Sequence, residues 1–501
     1  MCKESEKNWK EKAVSRNLEL KSVKKELNRQ HIRAESWRSK YYTVRKEVID
    51  KDLIIKDLTS EGRHFGDREL GLNSGKVSGY KYSIGLVFLC VNLYSMGLSL
   101  RAVSKVLVYI YTFLDFRIAV PSYSTISIWV HKVGLHLLKT GAKEVSNASE
   151  SSSGGVWSLI VDTSHSLGKS ELLLILGIRL SSLKSGALGI KEVIPIYLQS
   201  QETWKGGEIK ECLAQCKQEL GGEILYITSD QGNNLLGGAK EAGLPVVWDW
   251  SHYMANTLEA IYKEHPDFER FNTDMGKFKR KRKQSIYTHY SPPNLSVKVR
   301  FMNYLPFLEW AGIMWMNFAK IPPEIQPELQ FLQELKPFIF EMSDLFYAAD
   351  TMGKILKKQG ISPKTQILVI QHLRLLERQY PQNPNVNAFI QRTMDYLQHT
   401  LAIYNASKDK IAKHAPNFDA LVASSDIIEA IFGKLKHRMP KNPKAAFSAN
   451  SLLIPLFTTE LTQTNVANAL IQTSFSKLNQ WKNDFLNVRK YVSFRNVFNQ
   501  K

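Results

Sequence analysis

Trp157-Ser-Leu-Ile-Val-Asp162-Thr163 and Ile224-Leu-Tyr-Ile-Thr-Ser-Asp230-Gln231-Gly232 are short apolar runs, rich in β-branched and aromatic residues, that each end on an aspartate. Such runs, bounded by polar turn residues, read as strands. A carboxylate at a strand end points out of a sheet edge, where it can share a hard divalent cation with a neighbour. A third acid, Glu429, lies far downstream in Ser424-Ser-Asp-Ile-Ile-Glu429-Ala-Ile-Phe-Gly-Lys434, a polar-basic helical pattern. The other reading of a strand-end aspartate is a cap on the following helix.

Working outward, strands are expected at 156–162, 171–180, 192–199, 224–229 and 245–250, and helices at 207–220, 233–242 and 251–264. Three strands followed by helix–strand–helix–strand–helix predict an α/β unit with a mixed five-stranded sheet. Residues 145–155 are serine- and glycine-rich and read as a linker. Upstream of it, helices are expected at 82–96, 99–114 and 123–138, with serine caps ahead of the second and third. The third opens Ser124-Thr-Ile-Ser-Ile-Trp129-Val-His131-Lys132. Small polar residues in the first turn (Ser124, Thr125, Ser127), then an apolar-aromatic face and Lys132, form the pattern of a helix-turn-helix recognition helix in residues 81–144. A plain three-helix packing unit is the alternative.

Residues 1–60 are a charged helical stretch with heptad spacing: Leu20, Leu27, Ala34, Tyr41, Val48 and Ile55 at one position, Val23, Trp37, Val44 and Leu58 at the other. This predicts a coiled coil and hence a homodimer or higher oligomer; Gln30 and Lys51 interrupt the seam, and a single solvated helix is the alternative. Residues 61–80 read as a linker. From 266 to 418 strand signals fade and helical patterns broken by prolines take over. A helix is then expected over 419–436, and residues 441–501 read as helical or irregular.

Composition narrows the function. The chain has 501 residues, enough for several domains, with 67 basic against 47 acidic side chains and a net charge of +20. That excess favours a polyanionic partner, nucleic acid before membrane. The uncharged stretch 83–100 contains Asn92, Ser95 and Ser99 and reads as buried helix rather than a membrane span. The first residues lack an apolar core, so no secretory signal is expected. Four cysteines, Cys2, Cys90, Cys212 and Cys216, are too few for a disulfide framework and fit a reducing compartment such as cytoplasm, nucleoid or nucleus. Cys212 and Cys216 lack a complementary ligand pair and read as buried. Gly168-Lys169-Ser170 lacks the upstream glycine of a phosphate-binding loop, so ATP binding is not expected. The densest basic run, Lys277-Phe-Lys279-Arg280-Lys281-Arg282-Lys283, suits DNA phosphates contacted without sequence readout; a solvated loop is the alternative.

The strand order, the two strand-end aspartates and the late helical glutamate resemble the ribonuclease H-like catalytic domain of DDE transposases, over residues 156–265 and 419–440. The helical stretch between the second aspartate and the glutamate is similar to the all-helical insertion of the hAT group. Asp249-Trp-Ser-His252 resembles the (C/D)xxH signature of several such superfamilies, which implies a place for Asp249 and His252 beside the active site. The resemblance implies that Asp162, Asp230 and Glu429 hold two Mg²⁺ or Mn²⁺ ions, one activating a nucleophile and one stabilising the leaving 3′-oxygen of double-stranded DNA. Asp426, one turn before Glu429, is the rival third acid. Gly433 would let a DNA backbone approach, with Lys434, Lys436 and Arg438 on its phosphates; a solvated basic face is the alternative. The function implied is transposon-end binding, strand cleavage and strand transfer. A nuclease or resolvase on the same fold, or a DNA-binding protein that has lost catalysis, are the alternatives.

Overall fold

The structure, a computed structural model, describes residues 75–115, 119–147, 155–165, 170–294, 301–439 and 447–486. The expected coiled coil, most of both linkers and the end of the chain lie outside the described residues. By its contacts the chain divides into residues 1–69 with 113–117, of which only 113–115 are described, and residues 70–112 with 118–501. Everything below concerns the second unit.

Three helices come first: α1 (Ile84–Met96), α2 (Leu100–Phe113) and α3 (Tyr123–Asn147). Their starts follow from serine capping. Ser83, Ser99 and Ser122 accept the backbone N–H groups of Leu86, Ala102 and Thr125. Each satisfies a donor that the first turn leaves unpaired. No described helix is long and apolar enough to cross a membrane.

The sheet has strands β1 (Val156–His165), β2 (Glu171–Arg179), β3 (Ile194–Gln201), β4 (Glu223–Ser229) and β5 (Val246–Trp248), in the order β3-β2-β1-β4-β5. β1 pairs antiparallel with β2 and parallel with β4; β5 extends the parallel side. The expected mixed α/β sheet is therefore present. β2 is buried from Leu172 to Ile178, which explains its unbroken apolar run: both faces are covered. One face is packed by α4 (Gly206–Leu220) and α5 (Asn233–Glu241) around Trp157, Leu159, Val161, Leu213, Cys216 and Ile227. Burial pushes the Cys212 thiol up to about 11 and that of Cys216 well above its ordinary value, so both behave as apolar packing groups.

After β5 come α6 (Trp250–Tyr262), α7 (Pro266–Arg282), α8 (Leu305–Met316), the single turn α9 (Phe331–Glu334), α10 (Lys336–Gln359), α11 (Pro363–Gln379) and α12 (Pro384–His414). Prolines stand in the first turns of α7, α8, α10, α11 and α12. There the missing N–H costs nothing, so these prolines start helices rather than break them. α13 carries Glu429 and spans Asp426–Arg438, starting later than the expected 419. Residues 420–424 are buried and take no part in the helix: Val422 bonds to the Tyr226 and Thr228 hydroxyls of β4, Leu421 pairs with Ile361, and the Ala423 carbonyl accepts the Trp250 N–H.

The chain closes with α14 (Leu453–Thr458), α15 (Gln463–Gln472) and α16 (Phe475–Phe485). α3 packs against β3, α14 and α15. Its apolar residues Val133, Leu135, Leu137 and Leu138 are all buried, which carries the helix beyond the expected end at 138. Gly134 is obligatory there, because a Cβ would lie 2.1 Å from the carbonyl oxygen of Leu452. Residues 81–112 and 118–144 of the helical region fall in the same unit as the sheet.

Candidate active site

The acids meet because of the period of two along a strand. Trp157, Leu159 and Val161 face α4 and α5, so Ser158, Ile160 and Asp162 face the other way. β4 reaches the same phase through an irregularity: Trp157 pairs with Ile224, but Ser158 pairs with Tyr226. The extra residue, Leu225, turns Tyr226, Thr228 and Asp230 onto the face of Asp162. Asp162 and Asp230 each lie two residues beyond the paired Ile160 and Thr228 of adjacent parallel strands; Asp230 follows the end of β4, whereas Asp162 lies inside β1, which runs on to His165 against β2 instead of ending at the expected 162. α13 packs on β1 and brings Glu429 to this site.

Burial, then the charge of Asp230, push Asp162 up to about 7; Glu429 adds to the rise, whereas the Thr163 N–H and His252 oppose it. Asp162 Oδ1 accepts that N–H at 2.7 Å. Asp230 Oδ1 accepts the N–H of Gly232 at 3.0 Å, closing a tight turn into α5. This bond lies outside the helix proper, so the cap is partial, and Oδ2 has no bond among the described residues. A side chain at position 232 would crowd it, since a Cβ would stand 3.1 Å from Asp230 Oδ1.

Glu429 is half exposed and accepts from His252 Nε2 at 2.9 Å. That bond is the main cause of the raised His252 pKa, burial acting against it. Asp426, the rival acid, pairs with Lys357 of α10 at 2.5 Å. Among the described residues no three His, Cys, Asp or Glu side chains form a metal-holding group as they stand. Carboxylate oxygens are nevertheless the donors that a hard divalent cation takes, and Asp162 feels the charges of Asp230 and Glu429 after the larger effect of its own burial.

Asp249 is fully buried and does not bond to the His252 ring. Its Oδ1 accepts the His252 backbone N–H at 2.9 Å, and its Oδ2 accepts the N–H and hydroxyl of Ser425 at 2.6 and 3.1 Å. Sequence reasoning missed Ser425, Tyr226 and Thr228. The Tyr226 hydroxyl accepts the N–H of Val422, and that of Thr228 donates to its carbonyl, both at 3.1 Å. The one signal available was the Ser424-Ser425 pair ahead of an apolar helical run.

The expected DNA contacts divide. Ser124 is exposed and Thr125 and Ser127 half-buried at the start of α3. Lys132 is buried, donating to the Tyr80 hydroxyl at 2.7 Å with its ammonium over the ring. Lys434 and Lys436 are exposed on α13, and a side chain at Gly433 would meet nothing. Arg438 instead bonds to the Ser95 carbonyl at 3.2 Å and covers the Tyr94 ring, closing the end of α1. In the basic run Lys277 pairs with Asp274, Lys281 and Arg282 with Glu328, and Lys279 bonds to the Pro293 carbonyl. Arg280 and Lys283 are exposed, with no partner among the described residues.

No protein-family model matches the chain, and no curated protein matches it.

Proposed function

We propose that the chain is a DDE-type DNA transposase whose ribonuclease H-like domain cleaves DNA and joins 3′-hydroxyl ends. The observation that carries this reading is the in-register pair Asp162 and Asp230 on adjacent parallel strands, with Glu429 close enough to raise the Asp162 pKa. The strand order β3-β2-β1-β4-β5, antiparallel on one side and parallel on the other, is compatible with a ribonuclease H-like domain and supports the reading. The helical segment between β5 and α13 takes the place of an all-helical insertion.

Asp162, Asp230 and Glu429 would hold the two Mg²⁺ or Mn²⁺ ions, which when bound supply charge neutralisation at the attacked phosphate and its leaving oxygen. A bound cation would offset both the burial and the neighbouring charge that hold Asp162 near 7, favouring its ionised form. Glu429 would exchange its His252 contact for the ion, and the released imidazole, at the first turn of α6, would face the substrate phosphate. Lys434 and Lys436, beyond Glu429 on α13, would track the backbone of the double-stranded DNA.

The test is cleavage of the DNA that flanks the gene, with Mg²⁺ or Mn²⁺. Asp162→Ala, Asp230→Ala and Glu429→Ala should each abolish cleavage and spare DNA binding. Normal cleavage by Asp230→Ala sinks the reading. A precleaved 3′-hydroxyl end that is never joined to a target would reassign the chain to a nuclease or resolvase.

A further inference from the structure

We infer that Asp249 is a positioning residue for Glu429, acting through Ser425. The inference rests on the metal-site reading and goes beyond it. α13 is separated in sequence from β1, which carries Asp162, and β4, which leads into Asp230, by the whole helical segment 266–414. Something must fix the start of α13 against the sheet, and Asp249 sits where the two meet.

Its position is set from the sheet side. The Asp249 N–H donates to the Ser229 carbonyl at 2.8 Å, one residue before Asp230. Its Oδ1 caps α6, holding the backbone of His252. Its Oδ2 then takes both donors of Ser425, the N-cap residue of α13. One buried carboxylate therefore ties three site elements together: the Asp230 strand end, the His252 helix and the Glu429 helix. Glu429 stands one turn beyond Ser425, so a rotation or slip of the α13 start is passed directly to its carboxylate. With three donors on its two oxygens and no exposed surface, Asp249 is turned into the fold and is not itself open to a ligand.

The surrounding contacts separate this role from fold maintenance. The Trp250 N–H bonds to the Ala423 carbonyl at 3.0 Å, and Val422 is held by Tyr226 and Thr228. These bonds keep the incoming segment on the sheet without Asp249. What Asp249 alone provides is the bond to the residue that starts α13. In Asp249→Asn an amide N–H₂ must face either the Ser425 or the His252 N–H, so one of the two ties is lost while the shape is kept.

The experiment uses the full chain, with Mn²⁺ as the probe and its binding followed by electron paramagnetic resonance. Asp249→Asn should weaken Mn²⁺ binding by about 10–100-fold, the usual range for a residue that orients a ligand. The cleavage kcat should fall with it, while the KM for DNA stays within about twofold. Ser425→Ala, which keeps the N–H and loses the hydroxyl, should give a smaller loss, and Ser425→Thr should restore the wild-type value. If Asp249→Asn does not fold, the Ser425 pair decides: equal Mn²⁺ affinity in Ser425→Ala and wild type overturns the inference. Tight wild-type binding that Asp249→Asn leaves unchanged also overturns it but leaves the metal site standing. Wild-type binding that Asp162→Ala and Asp230→Ala do not alter sinks the metal-site reading itself, and the inference with it.

Discussion

Asp162 carries a measurable signature even without DNA. Its folded-state pKa of about 7 lies above its ordinary 3.8, so between those values the folded protein holds a proton that the unfolded chain has released. In the cation-free protein, stability should therefore fall as pH rises from about 4 to about 7. The His252–Glu429 pair acts in the same direction: the His252 pKa is raised, so its contribution is complete below the unfolded value and is lost as pH rises through the folded one. Asp162→Asn should flatten most of the slope and stabilise the cation-free protein by about 1–3 kcal/mol at pH 8. Mn²⁺ should stabilise wild type at that pH by mass action and leave Asp162→Asn much less affected. Urea unfolding at pH 5 and pH 8, with and without Mn²⁺, measures all three. An unaltered pH slope in Asp162→Asn would show that burial and the charge of Asp230 do not hold Asp162 protonated.

Helix α3 tests whether the N-terminal helices belong to the sheet unit. His131 Nε2 lies 3.2 Å from Asn450 Oδ1, and burial brings its pKa down to about 4, so it stays neutral as a packing group. Gly134→Ala must push α3 away from Leu452 and should cost about 1–3 kcal/mol or more. Denaturant unfolding should show one cooperative transition shifted to lower concentration. A separate early transition would mean that α3 unfolds apart from the sheet. The same element shows what the sequence could tell. Strand positions, the sheet's mixed character and the helix starts were legible, because period-two burial and serine capping are local effects. The register irregularity at Leu225, which aligns Asp230 with Asp162, was not, because it depends on which strand lies alongside. Nor was the non-helical run 420–424, whose apolar residues continue a helical pattern but whose backbone bonds go to distant partners: Ile361, Trp250 and the hydroxyls of Tyr226 and Thr228. Ser425 as the partner of Asp249 was hidden for the same reason: the contact spans the whole helical segment.

On the transposase reading a net charge of +20 would favour DNA, but the structure sorts the cations into two kinds. Lys434 and Lys436 are exposed beside Glu429, whereas Lys132 and Arg438 spend their donors inside the fold. Only the first kind can release counterions when DNA binds, and each phosphate contact adds about 0.9 to the slope of log affinity against log salt. On the transposase reading, Lys434→Ala with Lys436→Ala should reduce that slope by about 2 and weaken binding without changing unfolding. Lys132→Ala and Arg438→Ala should keep the slope and lose about 1–2 kcal/mol of stability, through the lost bond to the Tyr80 hydroxyl in one case and the end of α1 in the other. Fluorescence anisotropy of a labelled duplex across a salt series, paired with denaturant curves for each variant, separates the two outcomes. If Lys132→Ala lowers the salt slope as much as the α13 pair does, α3 contacts phosphates after all, and the recognition-helix reading of residues 124–132 is restored.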